Sequence, residues 1–213
     1  MLDYLLQIIP TIADGLKVTI ALFCVVWVLS IPGGIILALL RLSKLPVVDK
    51  IVEAFVYLMR GTPLMLQILF MYFALPIMTD GAIQMDDATA AVVTFVLNYA
   101  AYLCEIFRGG IESVPKGQYE AGQVLGMTKG QIFFKVVLLQ VIKKITAPMG
   151  NEIITLVKDT SLSSVIAIPE ILMRAKDFSM QGLIWPLFYS AVFFLAFCGI
   201  LTLLFSFIEK KLD

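Results

Sequence analysis

Glu152, Thr155 and Asp159 fall three and four residues apart in a stretch, 145–168, that is otherwise almost wholly apolar. At roughly 100° per residue, a helix carries all three on one face. Two carboxylates with a hydroxyl between them are acceptors for an ammonium or a guanidinium. Seven residues of helix rise about 10 Å at ~1.5 Å each, which approaches the length of an extended cationic amino acid. The same pattern has a plainer use, as an ion pair or a capped interface near the aqueous ends of a helix. Lys158 projects away from this face. Asn98, beside Tyr99 and Tyr102, either lines a polar cavity or bonds to a neighbouring helix. Gly61, Pro63 and Gln67 mark a broken helix end, whose freed backbone groups must be buried or line a cavity. Glu152, Asp159, Thr155, Asn98 and Gln67 are therefore the candidate solute pathway.

Other chemistry is excluded by residue type. Histidine is absent from the 213 residues, which removes histidine general bases and histidine-ligated metals. Cys24, Cys104 and Cys198 are far apart in apolar runs and are expected to be small buried hydrophobes. No G-x-x-x-x-G-K-[ST] phosphate loop can be written in the chain, so no nucleotide site and no cofactor is expected within it. Sixteen basic and sixteen acidic residues cancel, which gives no field to attract nucleic acid. Energy for uphill movement must come from a partner or a coupled ion.

The elements that position these residues follow from composition. Hydrophobic residues make up 60% of the chain and charged ones 15%, against ~45–50% and ~25% in soluble domains. A span needs roughly 20 mostly apolar residues. Stretches meeting that need lie near 17–40, 59–79, 88–107, 145–168 and 180–208. The fourth is the most polar, and Pro148 and Pro169 bracket it. Ionisable groups inside a span cost about 2.5–3.5 kcal/mol each on insertion scales, so Glu152 and Asp159 are functional candidates there. The chain is expected to be all-α: one polytopic membrane domain over 1–213, with five spans. Residues 1–16 form either an interfacial amphipathic segment or an extension of the first span. Gly33 and Gly34 allow close packing or a bend, and Phe193, Phe194 and Phe197 are expected to face lipid.

Basic residues set the orientation. Arg41, Lys44, Lys50, the 108–144 segment and the Lys210–Lys211 tail carry most of them, whereas Asp3, Asp14, Asp80, Asp86 and Asp87 lie on the other side. The N-terminus is expected outside and the C-terminus in the cytoplasm. Residues 108–144 then form a large cytoplasmic loop, with apolar positions at helical spacing and Gly126 and Gly130 dividing it into two short helices. Such helices lie on lipid or dock in a protein groove. Small residues at Ala121, Gly122 and Gly126 suit the groove.

Within that loop, Glu120-Ala121-Gly122, Gly126 six residues after the glutamate, then Val136 and Leu138 resemble the EAA motif of ATP-binding-cassette (ABC) importer permeases, E-A-A, three residues, G, nine residues, I-x-L-P. Gly122 stands where the motif has its second alanine, and Leu139 replaces its proline. Arg60-Gly61-Thr62-Pro63-Leu64 with Gln67, Glu105-Ile106-Phe107-Arg108-Gly109-Gly110, Gly117-Gln118 and Lys158-Asp159-Thr160-Ser161-Leu162 are similar to the polar-amino-acid branch of that family.

The resemblance implies the type I importer permease fold: a five-helix unit, paired with itself or a related permease, in the inner membrane of a prokaryote. It also implies an ABC ATPase dimer that binds the ATP and an extracytoplasmic solute-binding protein. Gln118, Glu120, Ala121, Gly122 and Gly126 would then couple the loop to the ATPase. The chain itself is expected to be no enzyme. Its cargo would be an amino acid, cationic such as arginine, lysine or histidine, or else glutamine-like or cystine-like. An ion-coupled secondary carrier is the alternative from another class, but it predicts an inverted repeat, and none is visible.

Overall fold

The computed structural model describes residues 2–43 and 45–212, with side chains from residue 8 onward. Lys44 and the side chains of Asp3, Leu5 and Leu6 lie outside the described residues. Among the described residues the regular elements are all helices, joined by short turns, with no strand. The order is α1 (Leu2–Arg41), α2 (Pro46–Gly61), α3 (Leu64–Leu69), a π-helical turn (Phe70–Ala74), α4 (Leu75–Met78), α5 (Asp87–Glu112) and α6 (Lys116–Val124). After these come α7 (Lys129–Ile132), a second π turn (Phe133–Val137), α8 (Leu138–Asp159), a 3-10 helix (Thr160–Ile166), α9 (Ile171–Met180) and α10 (Trp185–Leu212).

Local chemistry sets the helix ends. Pro46 opens α2, where its missing N–H costs nothing. The Asp86 side chain accepts the Thr89 N–H at the start of α5. Thr128 and Gln131 form a reciprocal capping box at α7. Glu170, wholly buried, accepts the Leu172 and Met173 N–H groups at 2.8 and 2.6 Å and so caps α9. Burial nonetheless pushes its carboxyl above the ordinary carboxylate range.

The central element is α5. Of its apolar window, 61% is buried, against 6% for α10, which presents Val192, Leu195, Leu203 and Phe207 outward. Lipid is as apolar as leucine, so helices in a membrane are held by close packing more than by removal from water. The α1–α5 contact shows how. A Cβ on Gly34 would stand 2.6 Å from the Leu103 Cβ, and one on Gly33 would stand 3.1 Å from the Ala100 Cβ. The pair therefore permits close packing. At the ends of α1, α2 and α5, Arg41 bonds Asp49 at 2.7 Å and approaches Glu53 and Glu105 at 3.6 and 3.9 Å.

Several expectations need correction. Helix α1 is continuous from Leu2, and Ile8 and Ile12 are buried with Ile171, so no separate interfacial segment precedes the first span. Residues 46–61 form a helix of their own before the break, and α9 is a further one; both are too short or too polar to show as spans. The 108–144 segment is mostly helical, as its spacing predicts, but its second helix is not short: it runs from α7 through the π turn into α8. Gly130 lies in the first turn of α7 and breaks nothing, because the capping box starts the helix just ahead of it. From 129 to 159 the chain is helical without interruption, so Pro148 sits inside α8 and does not bracket it. Phe193, Phe194 and Phe197 turn inward, with Phe197 edge-on to Phe23 at 5.1 Å. Cys24 is exposed, while Cys104 is buried and Cys198 partly so.

Among the described residues, three helices (α1, α5 and α10) are long and apolar enough to cross a membrane. The pair α2 with α3–α4, bent by 106° across Thr62 and Pro63, makes a fourth if it counts as one span. The charges of α8, among them Lys143, Lys144, Glu152 and Lys158, keep it below that apolarity.

Candidate functional site

The break between α2 and α3 faces α5 and α8 across a cavity of 540 Å³, within the ~300–1,000 Å³ usual for small-ligand sites. Arg60, Gly61, Thr62, Pro63 and Leu64 form one wall, and Asn98, Tyr99 and Tyr102 of α5 another. Glu152, Thr155 and Asp159 of α8, with Leu162 of the 3-10 helix, close it. The predicted stripe on α8 is thus one wall of a single cavity, and Asn98 joins it from α5. Gln67 is not among the lining residues. Lys158 lies on the other side of α8, in a separate groove with Leu172, Leu187 and Phe194.

The carboxylates differ in their partners. Tyr99 Oη donates to Asp159 Oδ2 at 2.8 Å. Glu152 makes no hydrogen bond or ion pair among the described residues. Thr155 spends its hydroxyl proton on the Asn151 carbonyl at 2.9 Å, which leaves only lone pairs for the cavity. Arg60 lies over the Tyr102 ring, 5.2 Å from its centroid, and 3.9 Å from Glu105. The Arg60 guanidinium and the carboxylates of Glu152 and Asp159 thus line the same cavity. Such a site can bind an anionic and a cationic group of one molecule at once.

Among the lining residues missing from the predicted pathway are Arg60, Tyr99 and Tyr102. Periodicity places the acids, because one regular helix carries them. Arg60 reaches them only through the 106° corner, which no helical wheel contains. The available signal was the cation standing directly before the Gly61-Thr62-Pro63 break.

Gln67 and Asn98 meet at the corner. Gln67 Nε2 donates to the carbonyls of Met59 and Thr62 at 2.9 and 3.2 Å and to Thr62 Oγ1 at 2.8 Å. Asn98 Nδ2 donates to the Met59 carbonyl at 3.1 Å and to Gln67 Oε1 at 3.0 Å.

The second candidate region is α6 and the turn after it. Gln118, Glu120 and Ala121 lie on its exposed side, and Gln140 Nε2 reaches Gln118 Oε1 at 3.3 Å. Gly122 is buried against Ile132, and Gly126 takes φ +71° in the turn, with open space where a Cβ would go. The Met127 N–H returns to the Gly122 carbonyl at 3.0 Å and closes α6. Val124 and Leu125 are 89% and 77% exposed at its tip.

Residues 30–213 match the family model described as binding-protein-dependent transport system inner membrane component. The chain is 34% identical over 207 residues to the L-cystine transport system permease TcyB of Bacillus subtilis, covering 96% of this chain and 87% of that one. It is 35% identical to the glutamine transport system permease GlnP of Escherichia coli K12 (96% and 92% covered), and 34% identical to the arginine transport system permease ArtQ of B. subtilis (96% and 93%). A solved amino acid ABC transporter with histidines contains a chain of like fold, with TM-score 0.87 and 28% identity over 98% of this chain and 97% of that one. The inward-facing MetNI methionine ABC transporter shares the fold alone, with TM-score 0.70 and 17% identity over 99% and 98%.

Proposed function

This chain belongs to the family of binding-protein-dependent transport system inner membrane components, and from that premise we propose that it is the membrane-spanning subunit of an ATP-driven importer of α-amino acids. The observation that carries the cargo assignment is the pairing of Arg60 with Glu152 and Asp159 around one cavity. An α-amino acid presents a carboxylate and an ammonium on the same carbon. Arg60 receives the first and Glu152 the second.

Charge balance favours a cationic side chain. One guanidinium and two carboxylates leave a formal charge of −1, which a zwitterion cannot neutralise and a lysine- or arginine-like solute can. A neutral, glutamine-like or cystine-like solute has its own support: Tyr99 already bonds Asp159, so a single acid is free. The permeases named above serve cystine, glutamine and arginine systems, and the cavity charge is what inclines this chain to the last of these classes.

The remaining parts follow the family. The chain hydrolyses no ATP itself. A cytoplasmic ABC ATPase dimer binds the nucleotide and receives α6 through Gln118, Glu120, Ala121, Gly122 and Gly126. An extracytoplasmic binding protein delivers the solute, and a second permease, identical or related, completes the pathway. The N-terminus lies outside the inner membrane and the C-terminus in the cytoplasm, with α8 and its 3-10 extension as the fourth of five spans.

The test is uptake by the assembled system, with lysine, arginine, glutamine and cystine as competitors. Hydrogen bonds to charged groups are worth about 1.5–3 kcal/mol, so Glu152→Gln should slow lysine or arginine uptake about tenfold or more. Basal ATP hydrolysis should stay intact. Strongest competition by neutral solutes, or normal cationic uptake by Glu152→Gln, would overturn the cationic assignment.

A further inference from the structure

The corner between α2 and α3 contains a donor deficit that the sequence dictates. In a regular helix the Met59 carbonyl accepts from the N–H of residue 63. Residue 63 is proline and has none. Thr62 and Pro63 are extended instead, with φ/ψ of −118°/147° and −62°/132°, so the last carbonyls of α2 point out of the helix without backbone donors. Water cannot make good the loss on the outer side. There the corner backs onto an apolar pocket of 300 Å³ walled by Leu58, Leu66, Phe70, Met71 and Leu97.

Two side-chain amides supply what is missing. Gln67 turns back from α3 to Met59 and Thr62. Asn98 reaches in from α5, 4% exposed, to the same Met59 carbonyl and to the Gln67 oxygen. Each NH₂ has two protons, and both amides direct theirs inward. The Met59 carbonyl thus receives two bonds, and α2, α3 and α5 are tied at one point. Arg60 is the residue next to that carbonyl.

We propose that Gln67 and Asn98 are positioning residues, a paired-amide latch that fixes the 106° corner and so holds Arg60 over Tyr102, opposite Glu152. This rests on the cavity being the amino-acid site, and it assigns Gln67 a role without solute contact. An amide is required, because the latch needs protons directed at carbonyls. Methionine matches glutamine in length but donates nothing, and glutamate would set a carboxylate against carbonyl oxygens.

Two measurements on the assembled permease–ATPase complex in nanodiscs separate the latch from the cavity assignment. The first is hydrogen exchange of the backbone over 59–68, which does not depend on any ligand. Gln67→Met should raise exchange there at least tenfold and leave α10 unchanged; unaltered exchange would overturn the latch whatever the chain transports. The second is equilibrium binding of radiolabelled lysine against competing lysine or lysinamide, which lacks the carboxylate. Gln67→Met should cut the preference for lysine over lysinamide about tenfold, as Arg60→Met should. The double variant should fall within twofold of Arg60→Met alone, since Gln67 acts through Arg60. Losses that multiply, or a preference that survives Gln67→Met, would overturn the positioning role. Lysine binding absent from the unmodified complex would instead count against the cavity assignment, with the exchange result still deciding the latch.

Discussion

Gly122 stands where the EAA motif has alanine, and α6 shows why a methyl group is unwelcome. A Cβ built there would lie 2.6 Å from Ile132 Cγ1 and 2.9 Å from Cδ1, where carbon atoms prefer about 3.5–4.0 Å. Relief needs a shift of roughly 1 Å. Ile132 is 1% exposed and sits in the cluster with Val114, Val137 and Val141, so it has little room to retreat. Overpacking of this kind costs about 1–3 kcal/mol, and α6 is only nine residues long, too short to hold its place without that contact. Gly122→Ala should therefore speed hydrogen exchange across Lys116–Val124 by about tenfold and weaken ATPase association. Ile132→Ala alone leaves a cavity and costs about 2–5 kcal/mol. The double variant lodges the new methyl in that cavity, so its cost should fall below the sum of the singles by about 1–2 kcal/mol. The assay is exchange of the 116–132 peptides in nanodiscs for all four members of the cycle. Strictly additive effects, or a Gly122→Ala chain with unchanged α6 protection, would refute the steric account of this departure from the motif.

Two further outcomes are expected. A cysteine at Asp80 should be labelled from outside and one at Lys116 only from the cytoplasm; the reverse pattern would remove both the orientation and α6 as the ATPase contact. A Cβ at position 126 has open space, but Gly126→Trp forces φ +71° on a side chain, at a cost of about 1–2 kcal/mol. The chain should insert normally while ATPase co-purification is lost. Gly126→Asn, which tolerates that φ, should retain more association than the tryptophan variant, and undiminished association by Gly126→Trp would sink the docking role.

What was legible in the sequence is what a single regular element carries. Glu152, Thr155 and Asp159 could be aligned because α8 is helical across all three, and Gly33 and Gly34 announced close packing because only a missing side chain brings backbones together. What escaped depends on breaks and on neighbours. Arg60 enters the cavity because the chain turns at Thr62–Pro63, and the direction of a turn is not encoded in the spacing of apolar residues. Gln67 looked like a pathway residue because it marks the broken helix end at Gly61–Pro63, and its amide instead buries the freed carbonyls of Met59 and Thr62. Gly130 looked like a breaker, yet Thr128 and Gln131 begin a helix across it. Phe193, Phe194 and Phe197 looked lipid-facing because α10 is apolar on every side, which leaves periodicity nothing to report.

The unbroken run from 129 to 159 bears on how events at α6 reach the cavity. From the Thr128 cap to Glu152 the helix spans about 36 Å at ~1.5 Å per residue, and the turn that carries Gly126, closed by the Met127 N–H on the Gly122 carbonyl, leads directly into that cap. Displacement of α6 thus acts on one end of the rod whose other end bears the two acids. Arg60 hangs on a different element, held by the corner and by α5. Tilting the rod therefore changes the separation of Glu152 from Arg60 without moving the two together. A solute bridging the two by its ammonium and carboxylate is sensitive to that separation, because N–H···O bonds form at donor–acceptor distances of about 2.7–3.2 Å. Along the rod the helix departs from regularity at the π turn Phe133–Val137 and at Pro148, and a bend at either is what would let α6 move while the acids stay still.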